Sequence, residues 1–152
     1  MPSIASGRSL NEAIGALSRF TRSPRLDAVH AERSGIDLNL AAYDVLGHVI
    51  TNGPMSLSEL SRLAHMQPSA LSRQVKLLED GGHITRTARA DDARVSLVRA
   101  TDRGRDAHAR IRTVNDDLLA HQLANWTDAE LDHLASQIQR LLADLRADLP
   151  PS

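Results

Sequence analysis

Apolar residues recur at helical spacing along most of the chain, and the pattern is interrupted at a few glycines, prolines and capping residues. Leu10, Ile14, Leu17 and Phe20, continued by Leu26 and Val29, trace one stripe that is broken at Ser23-Pro24, which predicts a helix with a break or kink there. Past Gly35, Ile36 and Asn39, a second stripe runs through Leu40, Tyr43, Val45, Leu46, Val49 and Ile50 until Gly53-Pro54 stops it. Ser56 and Glu59 have the S-x-x-E spacing of a capping box, in which hydroxyl and carboxylate satisfy two free backbone donors at a helix start. They open a short helix through Leu57, Leu60, Leu63 and Ala64. The stretch His65-Met66-Gln67-Pro68 ends it, because Pro68 lacks an N–H yet suits the first turn of a new helix. Leu71, Val75 and Leu78 then fall at i, i+4 and i+7, and Gly81-Gly82 is the stop.

After Gly82 the period changes. Ile84 to Arg89 and Val95 to Ala100 are short runs with β-branched content on either side of a polar turn, Ala90 to Arg94, and together they predict a β-hairpin. Thr101 caps a further helix that carries Ala107, Ile111, Val114, Leu118, Leu119 and Leu123. Thr127 and Glu130 form a second capping box before Leu131, Leu134, Ile138, Leu141, Leu145 and Leu149, whose steps of three and four trace a seam closed by Pro150-Pro151. Four helices, a hairpin and two helices make a mainly α protein with a small β-hairpin wing. The expected fold is a winged helix-turn-helix at 38–101, flanked by N-terminal (1–37) and C-terminal (102–149) helices with a tail at 150–152, all in one compact unit.

Composition narrows the class. The 152 residues suit one domain, and 41% are apolar, but Phe, Tyr and Trp occur once each, so the core is built from Leu, Ile, Val and Ala. Without cysteine there is no disulfide framework, thiolate catalysis or cysteine-based sensing. No apolar run approaches the roughly 20 residues of a membrane span. Met1 to Leu10 has no apolar signal core, so the expectation is a cytoplasmic protein without a membrane partner. The seven histidines include no H-x-x-x-H pair, and no G-x-S-x-G or phosphate-cradling glycine loop is present, so neither a metal, a cofactor nor an enzymatic activity is expected.

The net charge of −1 conceals an asymmetry. Arg62 to Arg105 holds nine basic and five acidic residues, and the remainder of the chain has the opposite bias. A basic middle suits a polyanion, although a chance excess on a solvated surface gives the same tally. A helix-turn-helix lays its second helix in the major groove, and off the apolar stripe that helix presents Gln67, Ser69, Ser72, Arg73 and Lys76. Arginine and glutamine make bidentate contacts to guanine and adenine, while serine and lysine serve bases or phosphates. At the hairpin tip the D-x-R spacing lets Asp92 brace Arg94 so that its guanidinium projects toward a minor groove, with Arg86 and Arg89 reaching phosphates. The plainer alternatives are an amphipathic surface helix and a local Asp–Arg pair of little energetic value.

The succession Leu77-Leu78-Glu79-Asp80-Gly81-Gly82-His83-Ile84-Thr85-Arg86, then Asp92-Ala93-Arg94, then Ala100-Thr101-Asp102-Arg103-Gly104 resembles the signature of the MarR family of bacterial transcription regulators. The resemblance covers about residues 10 to 147. It departs at Ala100, where the family has leucine, and at Gly82, which doubles the helix-stop glycine and is expected to loosen that turn. It implies a homodimer whose first and last helices interlock, each subunit offering its recognition helix to half of a pseudo-palindromic duplex site, with half-sites roughly 34 Å apart. On that basis residues 1–37 and 102–149 are dimerisation segments, with Leu10, Ile14, Leu17, Ile111, Leu118, Leu131, Leu134, Ile138, Leu141 and Leu145 in the interface. The stripes also hold more apolar surface than a small winged domain can cover, and intramolecular packing of the same helices is the other way to cover it.

The resemblance further implies a small, aromatic or anionic effector in a cleft bordered by His30, Arg33, Tyr43, Asp44 and His48. The family's cysteine-based sensors are excluded, and the first-helix tryptophan of its urate-type sensors is missing. The sequence therefore points to a DNA-binding regulator, with repression the family's commoner mode. The alternative is a helical interaction protein, or an effector-insensitive orphan of the same fold, and Arg73 and Arg94 discriminate between the two.

Overall fold

The computed structural model describes residues 3–92 and 94–147; Ala93, Leu149 and the tail at 150–152 lie outside the described residues. The described chain divides after Asn115 into two compact units.

The first unit opens with α1 (Ile4–Thr21) and α2 (Pro24–Ser34), which are separate helices rather than one kinked helix. Ser23 is extended, its hydroxyl accepts the Arg25 N–H at 3.3 Å, and Pro24 takes the first helical position, where its missing donor costs nothing. A capped start of this kind ends one helix and begins another. In α3 (Leu40–Asn52) the Asn39 side chain caps through the Ala42 N–H at 2.8 Å.

Then follow β1 (Met55–Ser56), α4 (Leu57–Ala64), α5 (Pro68–Asp80), β2 (Ile84–Ala88), β3 (Ser96–Ala100) and α6 (Asp102–Gln122). The predicted capping box is present, with Ser56 N–H to Glu59 Oε2 at 2.8 Å and Glu59 N–H to Ser56 Oγ at 3.3 Å. The turn to α5 pivots on His65 in the left-handed region (φ 49°), and Ser61 ties it down by donating to the Met66 carbonyl at 2.7 Å.

The wing holds a strand that the periodicity did not announce. Met55-Ser56 pairs antiparallel with β3 (Met55 opposite Val98), giving a three-stranded sheet in the order β1-β3-β2. Two residues carry no period-2 signal, so only the free edge of β3 recruits them as a strand. The hairpin strands also stop one residue short of the expected limits, at Ala88 and Ser96.

One core joins these elements. Val45, Leu46 and Val49 of α3 meet Leu60 of α4, Leu71, Val75 and Leu78 of α5, and Ile84 and Val98 of the sheet, each at most 1% exposed. Burial of each such side chain contributes about 1.5–3 kcal/mol. Ile111 of α6, which the sequence stripe grouped with the dimerisation residues, packs in this core at 2% exposure and is unavailable to a partner. At the end of α5, Gly82 adopts φ 71°, a conformation that suits glycine. The Gly82 and His83 N–H groups donate to Glu79 and Leu78 carbonyls at 2.9 and 2.8 Å, so the doubled glycine tightens the turn instead of loosening it.

The second unit holds the end of α6 and α7 (Asp128–Ala147). The Thr127–Glu130 box forms as expected, with Thr127 N–H to Glu130 Oε2 at 2.8 Å. Leu118 is buried, Leu131 and Leu141 are half-buried, and Leu134, Ile138 and Leu145 are exposed. In the first unit, Leu10, Ile14 and Leu17 of α1 are likewise exposed.

Candidate nucleic-acid interface and the adjoining cavity

Helix α5 is divided lengthwise. Leu71, Val75 and Leu78 dock it on the core, while Gln67, Ser69, Ser72, Arg73 and Lys76 are all exposed on its other side. Gln67 is the N-cap residue but makes no side-chain cap, and Pro68 follows at the first helical position, so the positive end of the helix is left uncovered by its own side chains. Lys76 Nζ lies 3.0 Å from Asp80 Oδ2 one turn on; both are exposed, and such a pair yields readily to a phosphate.

The wing is organised differently from the sequence expectation. Asp92 Oδ1 accepts the backbone N–H of Arg94 at 3.0 Å, so among the described residues it braces the backbone of the tip and not the Arg94 guanidinium. The carboxylate that pairs with a guanidinium is Asp91, 2.6 Å from Arg89 Nε, and this hydrogen bond holds the Asp91 carboxyl below its usual range. Arg86 Nε is held 3.1 Å from Glu79 Oε2, linking the first wing strand to the end of α5. Arg94 is exposed. The expected DNA-facing residues thus fall on one helix face and one wing, with Arg86, Arg89 and Lys76 already paired within the chain.

Beside α5 lies an open cavity of about 880 Å³. It is lined from α3 by Tyr43, Asp44 and His48, from the α1–α2 region by Arg22 and Asp27, and by Met66, Gln74 of α5 and His108 of α6. Three of the five expected effector residues therefore meet there. His30 does not line it: its ring is buried and its carbonyl accepts the Ser34 hydroxyl at 2.6 Å. Arg33 is exposed and also absent from the lining.

The sequence reading missed Gln74 and His108. Gln74 directly precedes Val75 of the apolar stripe, on the flank of the helix turned from the exposed side that carries Ser69, Ser72 and Lys76, and that position was its only signal. The His108 ring stacks on Tyr43 with centroids 4.4 Å apart and planes 6° from parallel. It comes so close to α3 that a Cβ on Gly47 would sit 2.9 Å from His108 Nε2, so any larger residue there must push the ring aside. Burial, aided by nearby Arg112, pushes the His108 pKa down and keeps the ring neutral. The Asp44 carboxyl is pushed up by partial desolvation, opposed by His48 one turn along, even though much of the side chain is exposed. Among the described residues no cluster of His, Asp or Glu has the makings of a metal site. Among them, too, no helix is long and apolar enough to cross a membrane.

Residues 36–95, from the approach to α3 through the wing tip, match the sequence pattern of the MarR family. An uncharacterised HTH-type transcriptional regulator of Bacillus subtilis, YdgJ, is 29% identical over 93 residues, 61% of this chain and 52% of its own length. The HTH-type transcriptional repressor IacR of Pseudomonas putida is 26% identical over 110 residues, 72% of this chain and 66% of its own length. This chain thus spans about half to two thirds of the curated relatives it matches. A crystal structure of a MarR mutant from E. coli complexed with operator DNA superposes with a TM-score of 0.75 at 21% identity, covering 93% of this chain and 99% of that one, a likeness of fold. With its divided α5 and its D-x-R wing, the chain is similar to the MarR family over residues 36–95.

Proposed function

We propose that this protein is a cytoplasmic transcription regulator that binds duplex DNA as a homodimer. It represses from a pseudo-palindromic operator and is released by a small, flat molecule in the cavity beside α5. The observation that carries the reading is the division of α5. Its core-facing side is buried, and its opposite side offers two serines, a glutamine, an arginine and a lysine next to a wing tipped by Arg94. Dimerisation is supported by the exposed apolar residues of α1 and, separately, of α7, which a lone subunit leaves in water. The names of the relatives agree with a regulator, and IacR is a repressor by name. Asp92, by fixing the backbone of the wing tip, acts here as a positioning residue for Arg94.

Fluorescence anisotropy on duplexes tiled from the DNA flanking the gene, at two salt concentrations and against a scrambled duplex, tests the proposal. The expected result is tight binding to one pseudo-palindromic tile that weakens steeply with salt. Arg73→Ala and Arg94→Ala each lose about 1–3 kcal/mol and relax base preference, whereas Lys76→Ala weakens all sequences alike and lowers the salt slope by about one. Equal weak binding to every tile, unchanged by Arg73→Ala and Arg94→Ala, would put the helical interaction protein first.

A further inference from the structure

The cavity lining sets the acceptors Asp27, Asp44 and Gln74 beside Arg22 and His48. Gln74 Oε1 is buried, and among the described residues no donor reaches it. A buried amide oxygen without a donor is costly to leave so, and a ligand N–H at that point removes the cost. Asp44 adds a carboxylate on the α3 wall, and Asp27 a second one, whose Oδ1 accepts the Leu40 N–H at 3.1 Å. The stacked rings of Tyr43 and His108 add a flat slab to the lining, and burial lowers the His108 pKa. Arg22 is the arginine on the lining; it is exposed, as Asp44 is, so water screens both, while Asp27 is half-buried and Gln74 Oε1 is buried.

We propose that this cavity takes a flat aromatic cation that donates N–H bonds, in preference to an aromatic anion, with Gln74 Oε1 accepting a ligand N–H and Asp44 facing its charge. The inference rests on the ligand-responsive part of the function proposed above and names the ligand's chemical class. It also assigns the route of regulation. Gln74 is the neighbour of Arg73 on α5, so a ligand bonded to it acts on the DNA-facing helix directly. Space is not limiting, since cavities of roughly 300–1,000 Å³ hold molecules of drug size.

Isothermal titration of the full chain with two probes of one skeleton decides the matter: 4-aminoquinoline, a cation near neutral pH with N–H donors, and quinoline-4-carboxylate, an anion. The expected result is that the cation binds at least about 10-fold more tightly, the difference that one charge-assisted hydrogen bond supplies. Gln74→Leu and Asp44→Asn are expected each to lower the cation's affinity by about 10-fold, with thermal melts by circular dichroism showing that both variants fold. Equal or tighter binding of the carboxylate overturns the proposal, as does the absence of saturable cation binding, or a cation affinity untouched by both substitutions. DNA anisotropy on the same ligand-free preparation separates this result from the regulator reading. Specific DNA binding without cation binding sinks the ligand class alone, and cation binding without DNA binding sinks the regulator reading alone.

Discussion

Thr101 is the joint between the end of α5, the wing and α6, and replacing it with valine measures how much that joint contributes. Its hydroxyl donates to the Gly82 carbonyl at 2.7 Å and accepts the Gly104 N–H at 3.0 Å, while its own N–H donates to the His83 carbonyl at 3.0 Å. Thr101→Val keeps the shape, the β-branch and the backbone bond, and removes the two hydroxyl bonds. A neutral hydrogen bond contributes about 0.5–1.5 kcal/mol net, and loss of a helix cap costs about 0.5–2 kcal/mol. Gly82 is exposed, so water replaces the lost donor there and that loss falls near the lower limit; Gly104 is buried, and its orphaned N–H falls near the upper one. The sum is about 1.5–2.5 kcal/mol. Thr101→Ser, which keeps both bonds, should remain within about 0.5 kcal/mol of the unmutated chain. Urea denaturation followed by circular dichroism, at one protein concentration and with unchanged m, gives both numbers. A valine variant as stable as the serine variant would refute the hydrogen-bonded joint, and a loss confined to the serine variant would assign the effect to packing of the methyl group that valine keeps.

Gly47→Ala sets a Cβ against His108 Nε2, and the overpacking of about 1–3 kcal/mol outweighs the gain of about 1 kcal/mol in helix propensity; a rise of the His108 pKa toward its ordinary value in an NMR titration would mark the displaced ring, and an unshifted titration would contradict it. His83 and His108 both have pKa values lowered from 6.5, chiefly by burial, so the unfolded chain binds more protons than the folded one as pH falls through that region. Their contribution is therefore complete above about pH 6.5 and is lost on acidification through the folded values; urea midpoints that do not fall between pH 7.5 and 5.5 would be inconsistent with it. Glu59 and Glu130 are held below 4.5 mainly by the backbone N–H groups of Ser56 and Thr127, so the stability from both capping boxes is complete above about pH 4.5 and disappears as pH falls through the lowered values, a loss that Glu59→Gln should reduce in acid melts. Leu17→Glu and Ile138→Glu, on exposed faces of α1 and α7, should leave helix content unchanged while shifting sedimentation from dimer to monomer, and a dimer retained in both would remove these stripes from the interface.

Local chemistry, written over a few adjacent residues, was legible from the sequence. The two capping boxes, Pro68 opening α5, the Leu71-Val75-Leu78 stripe and the Thr101 cap each depend on spacings within one or two helical turns, and each stands where the spacing put it. So did the exposed face of α5, because once one side of a helix is apolar the opposite side is determined by the 3.6-residue period. Contacts between segments far apart in sequence were not legible. The strand character of Met55-Ser56 exists only because β3 offers an edge, and Arg86 was assigned to phosphate because nothing local announces Glu79 as its partner. Which carboxylate serves which arginine in the wing depends on how the turn folds, and the guanidinium pairing expected of Asp92 falls to Asp91, on Arg89. Ile111 has the same helical spacing as a surface stripe and is core only because α6 lays it there. The cavity is the extreme case. Tyr43 and His108 are brought to 4.4 Å by the packing of α6 against α3 past a glycine, and Gln74 loses its partners to burial. The sequence alone therefore determined the helices, their caps and the exposed face of α5, since backbone hydrogen bonding and side-chain period are short-range. Tertiary structure alone decided what lines the cavity and which charges are already paired, since desolvation and ion pairing depend on distances that only the folded chain sets.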